Sequence, residues 1–252
     1  MKRTLLIAAV LLLALSSPGE APDARDTLYQ FSTIQALKDG VYDGMKAYGQ
    51  IEQRGDFGLG TFTDLDGEMI EIEDVVYQVK IDGSVHRVTP DTRTPFVAIT
   101  YFDTDAQGRL NTASDYPKTK EYLDSKLETL NIPVAIRLHG TFTHVKTRSV
   151  PAQKKPYPPL AEVVKHQQTF EATDIEGTAL GFRCPTYMDG VQAVGYHLHF
   201  ISDDREFGGH LLEFTTADVT YELDYTHEFE MELPEGGGFY QTTGSGESGA
   251  FK

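Results

Sequence analysis

Cysteine is nearly absent: Cys184 stands alone among 252 residues. A single thiol excludes an intramolecular disulfide framework and any thiolate-rich zinc or iron–sulfur site. Tryptophan is missing, and basic residues are few, 22 Lys plus Arg against 38 Asp plus Glu, giving a formal charge of −16. That deficit argues against nucleic acid as a partner, since phosphate binding needs a basic surface. It argues equally against a peripheral hold on anionic lipid. No apolar run beyond residue 15 approaches membrane length. What remains, 40% hydrophobic and 24% charged, is the composition of an ordinary globular protein, long enough to bury a full core. A metal, if present, must be held mostly by His and carboxylate.

The first residues read as an address. Lys2 and Arg3 precede an apolar run from Leu5 to Leu15, and small or polar residues follow, among them Ser16, Ser17, Gly19 and Ala21. A basic start, a short apolar stretch and a small-residue boundary describe a secretory signal peptide. Such a run spans roughly 16 Å as a helix, too short for a hydrocarbon core of about 30 Å. Residues 1–24 are therefore expected to be a leader, the mature protein to be exported to the periplasm or the extracellular medium, and no membrane anchor to remain after cleavage.

Beyond the leader, residues 33–38 read as a short helix capped by Ser32 and stopped by Gly40. Strands are predicted at 57–63, 69–72, 75–81, 84–88 and 96–102, broken by turn formers such as Asp82-Gly83. Residues 115–130 fit a helix, 132–148 a strand, and 160–167 a second short helix. Four prolines between Pro151 and Pro159 mark a break. Residues 170–233 are again strand-rich. The pattern predicts an α+β protein: two β-rich subdomains built on mixed or antiparallel sheets with a few helices. An N-terminal α/β subdomain covers 25–150, a β-rich C-terminal subdomain covers 151–235, and a Gly-rich mobile tail covers 236–252.

Eight histidines are present, and three lie within fourteen residues: His197, His199 and His210. On a helix, positions i and i+2 diverge by about 200°. On a strand they share a face, about 7 Å apart, and Tyr196, Leu198 and Phe200 favour strand. A hairpin centred on Asp204-Arg205 and closed by Gly208-Gly209 brings His210 beside the pair. Three neutral imidazoles leave open coordination positions, the arrangement of a catalytic zinc, although Fe²⁺, Mn²⁺, Ni²⁺ or Cu²⁺ also suit it. Asp203 and Asp204 read as turn formers, and Cys184 as a buried bystander. The expected site thus sits on a β-hairpin near the subdomain interface.

Longer strings carry a resemblance. Gly181-Phe182, Pro185-Thr186-Tyr187, Gly195-Tyr196-His197-Leu198-His199-Phe200, Asp203-Asp204-Arg205 and Gly208-Gly209-His210 form one set. Ser32 to Leu37, Gly40 to Gly44, Gly55 to Phe62 and Leu65 to Met69 form another. Together they resemble the α-acetolactate decarboxylase family from about residue 28 to about residue 234. The resemblance implies a Zn²⁺ enzyme of the acetoin and butanediol pathway that converts α-acetolactate, a small anionic β-keto hydroxy acid, to acetoin and CO₂. By position, His197, His199 and His210 match the zinc ligands, Glu68 a carboxylate beside the metal, Arg148 the basic residue and Thr61 a pocket threonine. A further acid comes from the family's C-terminal tail, where Glu247 is the last acid here. Ala193-Val194 departs from the Val-Pro the family often carries. A homodimer is expected, on the same resemblance and on exposed sheet edges.

The residue types fit this chemistry. Decarboxylation leaves an electron pair that a metal-polarised ketone can accept as an enediolate. Glu68, alone or with the tail acid, could protonate one face of it, and Arg148 could hold the substrate carboxylate. Taken without the resemblance, Glu68 reads as a solvated edge residue, and Arg148 shares strand parity with the apolar Val134, Ile136, Leu138 and Phe142 if the strand stays regular. Two alternatives use the same histidines: a cupin-like metal-dependent oxygenase, and an exported protein that binds metal without turnover.

Overall fold

The structure is a computed structural model and describes residues 24–242; the leader and Glu247 lie outside the described residues. In the first half the strands are β1 (Thr27–Phe31), β2 (Lys46–Ala47), β3 (Phe57–Thr61), β4 (Glu68–Ile72), β5 (Val75–Val79), β6 (Val85–Arg87), β7 (Arg93–Thr94) and β8 (Val97–Thr100). In the second they are β9 (Ala106–Leu110), β10 (Ser114–Asp115), β11 (Val134–Ser149), β12 (Gln168–Cys184), β13 (Gly195–Ser202), β14 (Gly208–Tyr225) and β15 (Glu228–Glu232). Among the described residues three short α-helices interrupt them: α1 (Ile34–Lys38), α2 (Tyr116–Asp124) and α3 (Leu160–Val163).

Two main sheets result. The first runs β15-β1-β8-β3-β4-β5-β6 and is antiparallel except where β15 lies parallel to β1. The second runs β10-β14-β11-β12-β13, with β9 also on β14, and it curls until β13 meets β14 as well as β12. The protein is therefore β-rich, with mixed and antiparallel sheets and few helices. The proline break at 151–159 does not separate the sheets. β11 before it pairs along its length with β12 after it, and β15 returns to the first sheet beside β1. The division expected at residue 150 thus does not coincide with the division between sheets.

Period-two alternation explains the packing. Phe57, Leu59, Ile70 and Ile72 of the first sheet meet Ala135, Leu180, Phe182 and Ile201 of the second in one buried layer. The opposite face of the second sheet packs Ile136, Leu138, Phe142, Phe200 and Phe214 with Leu123 of α2. Buried side chains of this kind each contribute about 1.5–3 kcal/mol.

Several local expectations change. Thr33, not Ser32, caps α1, its Oγ1 accepting from Ala36 N at 3.1 Å, while Ser32 takes φ 69°. The helix predicted to residue 130 ends at Asp124. Thr129, Asn131 and Pro133 follow, and turn formers compete with helix there, although Leu127 still packs on the core. The described part of the tail is a 3-10 turn, Gly237–Gln241, and Gly237 and Gly238 approach Asp43.

Candidate active site

The β13–β14 hairpin places His199 directly opposite His210. Alternation along β13 sends Leu198 and Phe200 into the core beyond the second sheet, and His197, His199 and Ile201 toward the first sheet. Asp204 holds the turn, accepting from Ser202 Oγ and from Glu206 N. One potential ligand atom from each of His197, His199 and His210 lies within 4.8 Å of the other two. His199 Nδ1 sits 2.7 Å from the Met69 carbonyl. A carbonyl only accepts, so Nδ1 carries the proton and Nε2 presents a lone pair. That Nε2 faces His210 Nδ1 at 3.3 Å. His197 Nδ1 is buried and has no hydrogen-bond partner among the described residues.

Burial keeps all three rings neutral. It lowers His197 to about 4, with the Arg148 charge acting in the same direction. Burial also lowers His199 and His210, and neighbouring imidazoles and Arg148 add to the effect. Three neutral imidazoles, one oriented by a backbone carbonyl, are a suitable donor set for a divalent transition metal. Among the described residues this is the one His, Cys or carboxylate group of three compact enough for that purpose.

Glu68 comes from the other sheet. It continues the inward row of Ile70 and Ile72 on β4, so its carboxyl points across the apolar layer rather than into solvent. It is 6% exposed, and its Oε2 lies 3.5 Å from His199 Nε2. Desolvation raises its pKa to about 7 against the opposing pull of Arg148. The solvated-edge reading of Glu68 is therefore wrong: the turn before β4 is tight, and the strand starts already buried. Thr61, opposite Glu68 in register, donates its hydroxyl to the Gly67 carbonyl at 2.7 Å. It lines the cavity while pinning the turn that aims Glu68.

Arg148 corrects the parity expectation. Register shifts between Thr141 and His144 change the alternation of β11, so Val145 joins Phe142 in the core while Arg148 faces the cavity beside His210. Its Nη1 donates to Gln167 Oε1 at 3.1 Å, which leaves its other guanidinium donors available. Cys184 is buried and its thiol is pushed up to about 12 by desolvation, consistent with a bystander.

These groups surround a cavity of roughly 240 Å³, walled by Ile34, Leu37, Gly60, Leu65, Phe96, Val150 and Leu160, with Lys38 also on its wall. Reading the sequence by itself missed this apolar wall, Gln167 and the Met69 carbonyl. No local motif marks them, because they meet the histidines only through the packing of α1, α3 and β4 on the second sheet.

A β-rich fold with a three-histidine cluster, a carboxyl of raised pKa and a guanidinium around an apolar cavity defines a class: enzymes built to act on a small anion. Comparison with known proteins narrows it. A family model described as alpha-acetolactate decarboxylase matches residues 28–243. The alpha-acetolactate decarboxylase of Methanosarcina mazei is 44% identical over 223 residues, 88% of this chain and 77% of that protein. That of Methylococcus capsulatus is 43% identical over 212 residues, 84% of this chain and 82% of that protein. The crystal structure of alpha-acetolactate decarboxylase from Bacillus subtilis superposes with a TM-score of 0.86 at 36% identity, covering 88% of this chain and 94% of that one. The chain belongs to the α-acetolactate decarboxylase family and is a carboxy-lyase. This family membership displaces the oxygenase and the non-enzymatic metal binder as readings.

Proposed function

We propose that the cavity decarboxylates α-acetolactate to acetoin and CO₂ with a Zn²⁺ held by His197, His199 and His210, in the acetoin and butanediol pathway. The observation that carries this reading is the convergence of the three neutral imidazoles with Glu68 and Arg148 on one cavity. When bound, the metal supplies Lewis acidity toward the substrate's hydroxyl and carbonyl oxygens.

The chain's own residues do the rest. Arg148 binds the substrate carboxylate through guanidinium donors not used by Gln167. Ile34, Leu37, Phe96 and Leu160 exclude water, which strengthens each polar contact inside. The bond to the carboxyl carbon breaks, CO₂ leaves, and the electron pair passes to the ketone to give an enediolate. A proton delivered to carbon then yields acetoin. Burial raises the pKa of Glu68, which suits it to carry a proton, and it approaches from the first sheet only, so the proton arrives on one face. It is recharged from solvent. Thr61 fixes the Gly67 turn beneath it. Glu247 is the candidate tail acid that assists this transfer.

The protein is further proposed to act after export, its leader removed, and as a homodimer. Edge strand β15, with Phe229 and Met231 exposed, supports the dimer.

The test is to incubate zinc-loaded protein with racemic acetolactate and follow acetoin and CO₂ against the spontaneous background. Turnover above background is expected; a rate equal to background overturns the reading. Metal analysis of His199→Ala should find stoichiometric zinc lost, and retained zinc would refute the assigned ligands.

A further inference from the structure

The substrate proposed for this cavity is an anion, yet the whole chain carries a formal charge of −16. The field of such a protein repels anions and slows their entry unless local cations reverse it at the mouth. Two cations line the cavity, Arg148 and Lys38. They are placed differently. Arg148 is half-buried beside His210 and shares a hydrogen bond with Gln167. Lys38 is exposed.

α1 explains the position of Lys38. Ile34, Leu37 and Lys38 stand at i, i+3 and i+4, one face of a helix, and all three line the cavity. Ile34 and Leu37 are buried, 5% and 7% exposed. Lys38 follows them on the last turn and is exposed while still lining the cavity, a placement that lets a lysine rest its stem on apolar surface and keep its ammonium in water. Asp39 accepts from Gln35 Nε2, and among the described residues Lys38 makes no hydrogen bond or ion pair. A lysine on a cavity wall without an ion-pair partner is placed to attract an anion.

We propose that Lys38 is the capture residue of this cavity: its ammonium attracts the carboxylate of a small hydroxy acid to the mouth and passes it inward to Arg148. The products support the logic. CO₂ and acetoin are both uncharged, so a cation at the mouth favours entry of substrate without retaining product. Lys38 is a positioning residue, not one that touches the breaking bond.

The inference rests on the proposed substrate class, and two measurements separate the two. The first compares wild type, Lys38→Gln, Lys38→Arg and, as a control for net charge, Lys126→Gln, an exposed lysine that does not line the cavity. At low ionic strength Lys38→Gln should lower kcat/KM about three- to tenfold, mostly through KM, and the gap should close to within about twofold at roughly 0.5 M salt, where screening acts within a few Å. Lys38→Arg should restore the wild-type salt dependence, and Lys126→Gln should not reproduce the loss. A Lys38→Gln loss that is absent, insensitive to salt or matched by Lys126→Gln overturns the inference.

The second is calorimetric binding of 2-hydroxy-2-methylpropanoate, an unreactive hydroxy acid, against its uncharged amide. Lys38→Gln should weaken the anion by a similar factor and leave the amide where it was. Equal effects on both ligands, or on neither, overturn the inference. A protein that binds the anion through Lys38 yet fails to decarboxylate acetolactate would uphold the inference and refute the proposed reaction instead.

Discussion

His199 is held from both sheets at once. Its strand gives it His210 as a cross-strand neighbour, and Met69 on β4 fixes its tautomer through a 2.7 Å hydrogen bond. Glu68, one residue before Met69, turns its side chain to the same point. A single strand start thus supplies a carbonyl that orients the imidazole and a carboxyl of raised pKa beside it. Glu68→Gln keeps the shape and removes the proton proposed to be transferred. It should retain stoichiometric zinc by metal analysis and lose about 10²- to 10⁴-fold in kcat; full activity would remove Glu68 from the mechanism. The types and spacing of the three histidines were legible in the sequence, because i, i+2 on a strand and a polar turn admit few geometries. The burial of Glu68 was not, since the four residues of strand pattern at 69–72 do not reveal which face is covered.

At the scale of the element, the hairpin depends on a glycine. Gly209 has φ 129°, and a Cβ there would sit 2.5 Å from the Arg148 carbonyl. An L side chain strains that conformation, and the clashing atom is backbone that cannot swing aside. Gly209→Ala should cost on the order of 1–3 kcal/mol in urea unfolding and weaken zinc binding, because β14 must move at the residue next to His210. Unchanged unfolding would show that β11 and β14 can separate at that point. The irregularity of β11 works in the opposite sense. Its register shifts turn a strand that would bury Arg148 with Phe142 into one that delivers it to the cavity. Sequence periodicity cannot locate such a shift, because Thr141, Thr143 and His144 are compatible with either face.

For the molecule as a whole, acidity has a structural cost away from the cavity. Asp224 is fully buried on β14, and its Oδ1 finds no hydrogen-bond partner among the described residues. Desolvation, with Asp105, Asp26 and Asp103 nearby, pushes its pKa from 3.8 to about 8. The folded state therefore favours the neutral acid. Below the unfolded pKa neither state pays for ionisation. As pH rises from about 4 to about 8 the unfolded chain releases the proton and the fold resists, so stability falls across that window. Asp224→Asn keeps an acceptor for the Asp103 amide without the charge. Its stability advantage over wild type should be small at pH 4, grow through pH 8 and exceed about 1 kcal/mol there; an advantage independent of pH would place the cause elsewhere.

By itself the sequence determined the β-rich class, the histidine strand and its hairpin, because alternation and turn residues are local properties encoded within a few residues. The tertiary structure decided which sheet each long strand joins, that β15 returns to the first sheet, and that Glu68, Arg148 and Lys38 meet the histidines around one cavity. Those outcomes depend on register and on packing between residues more than a hundred positions apart, as Glu68 and His199 are, and no local pattern carries that information.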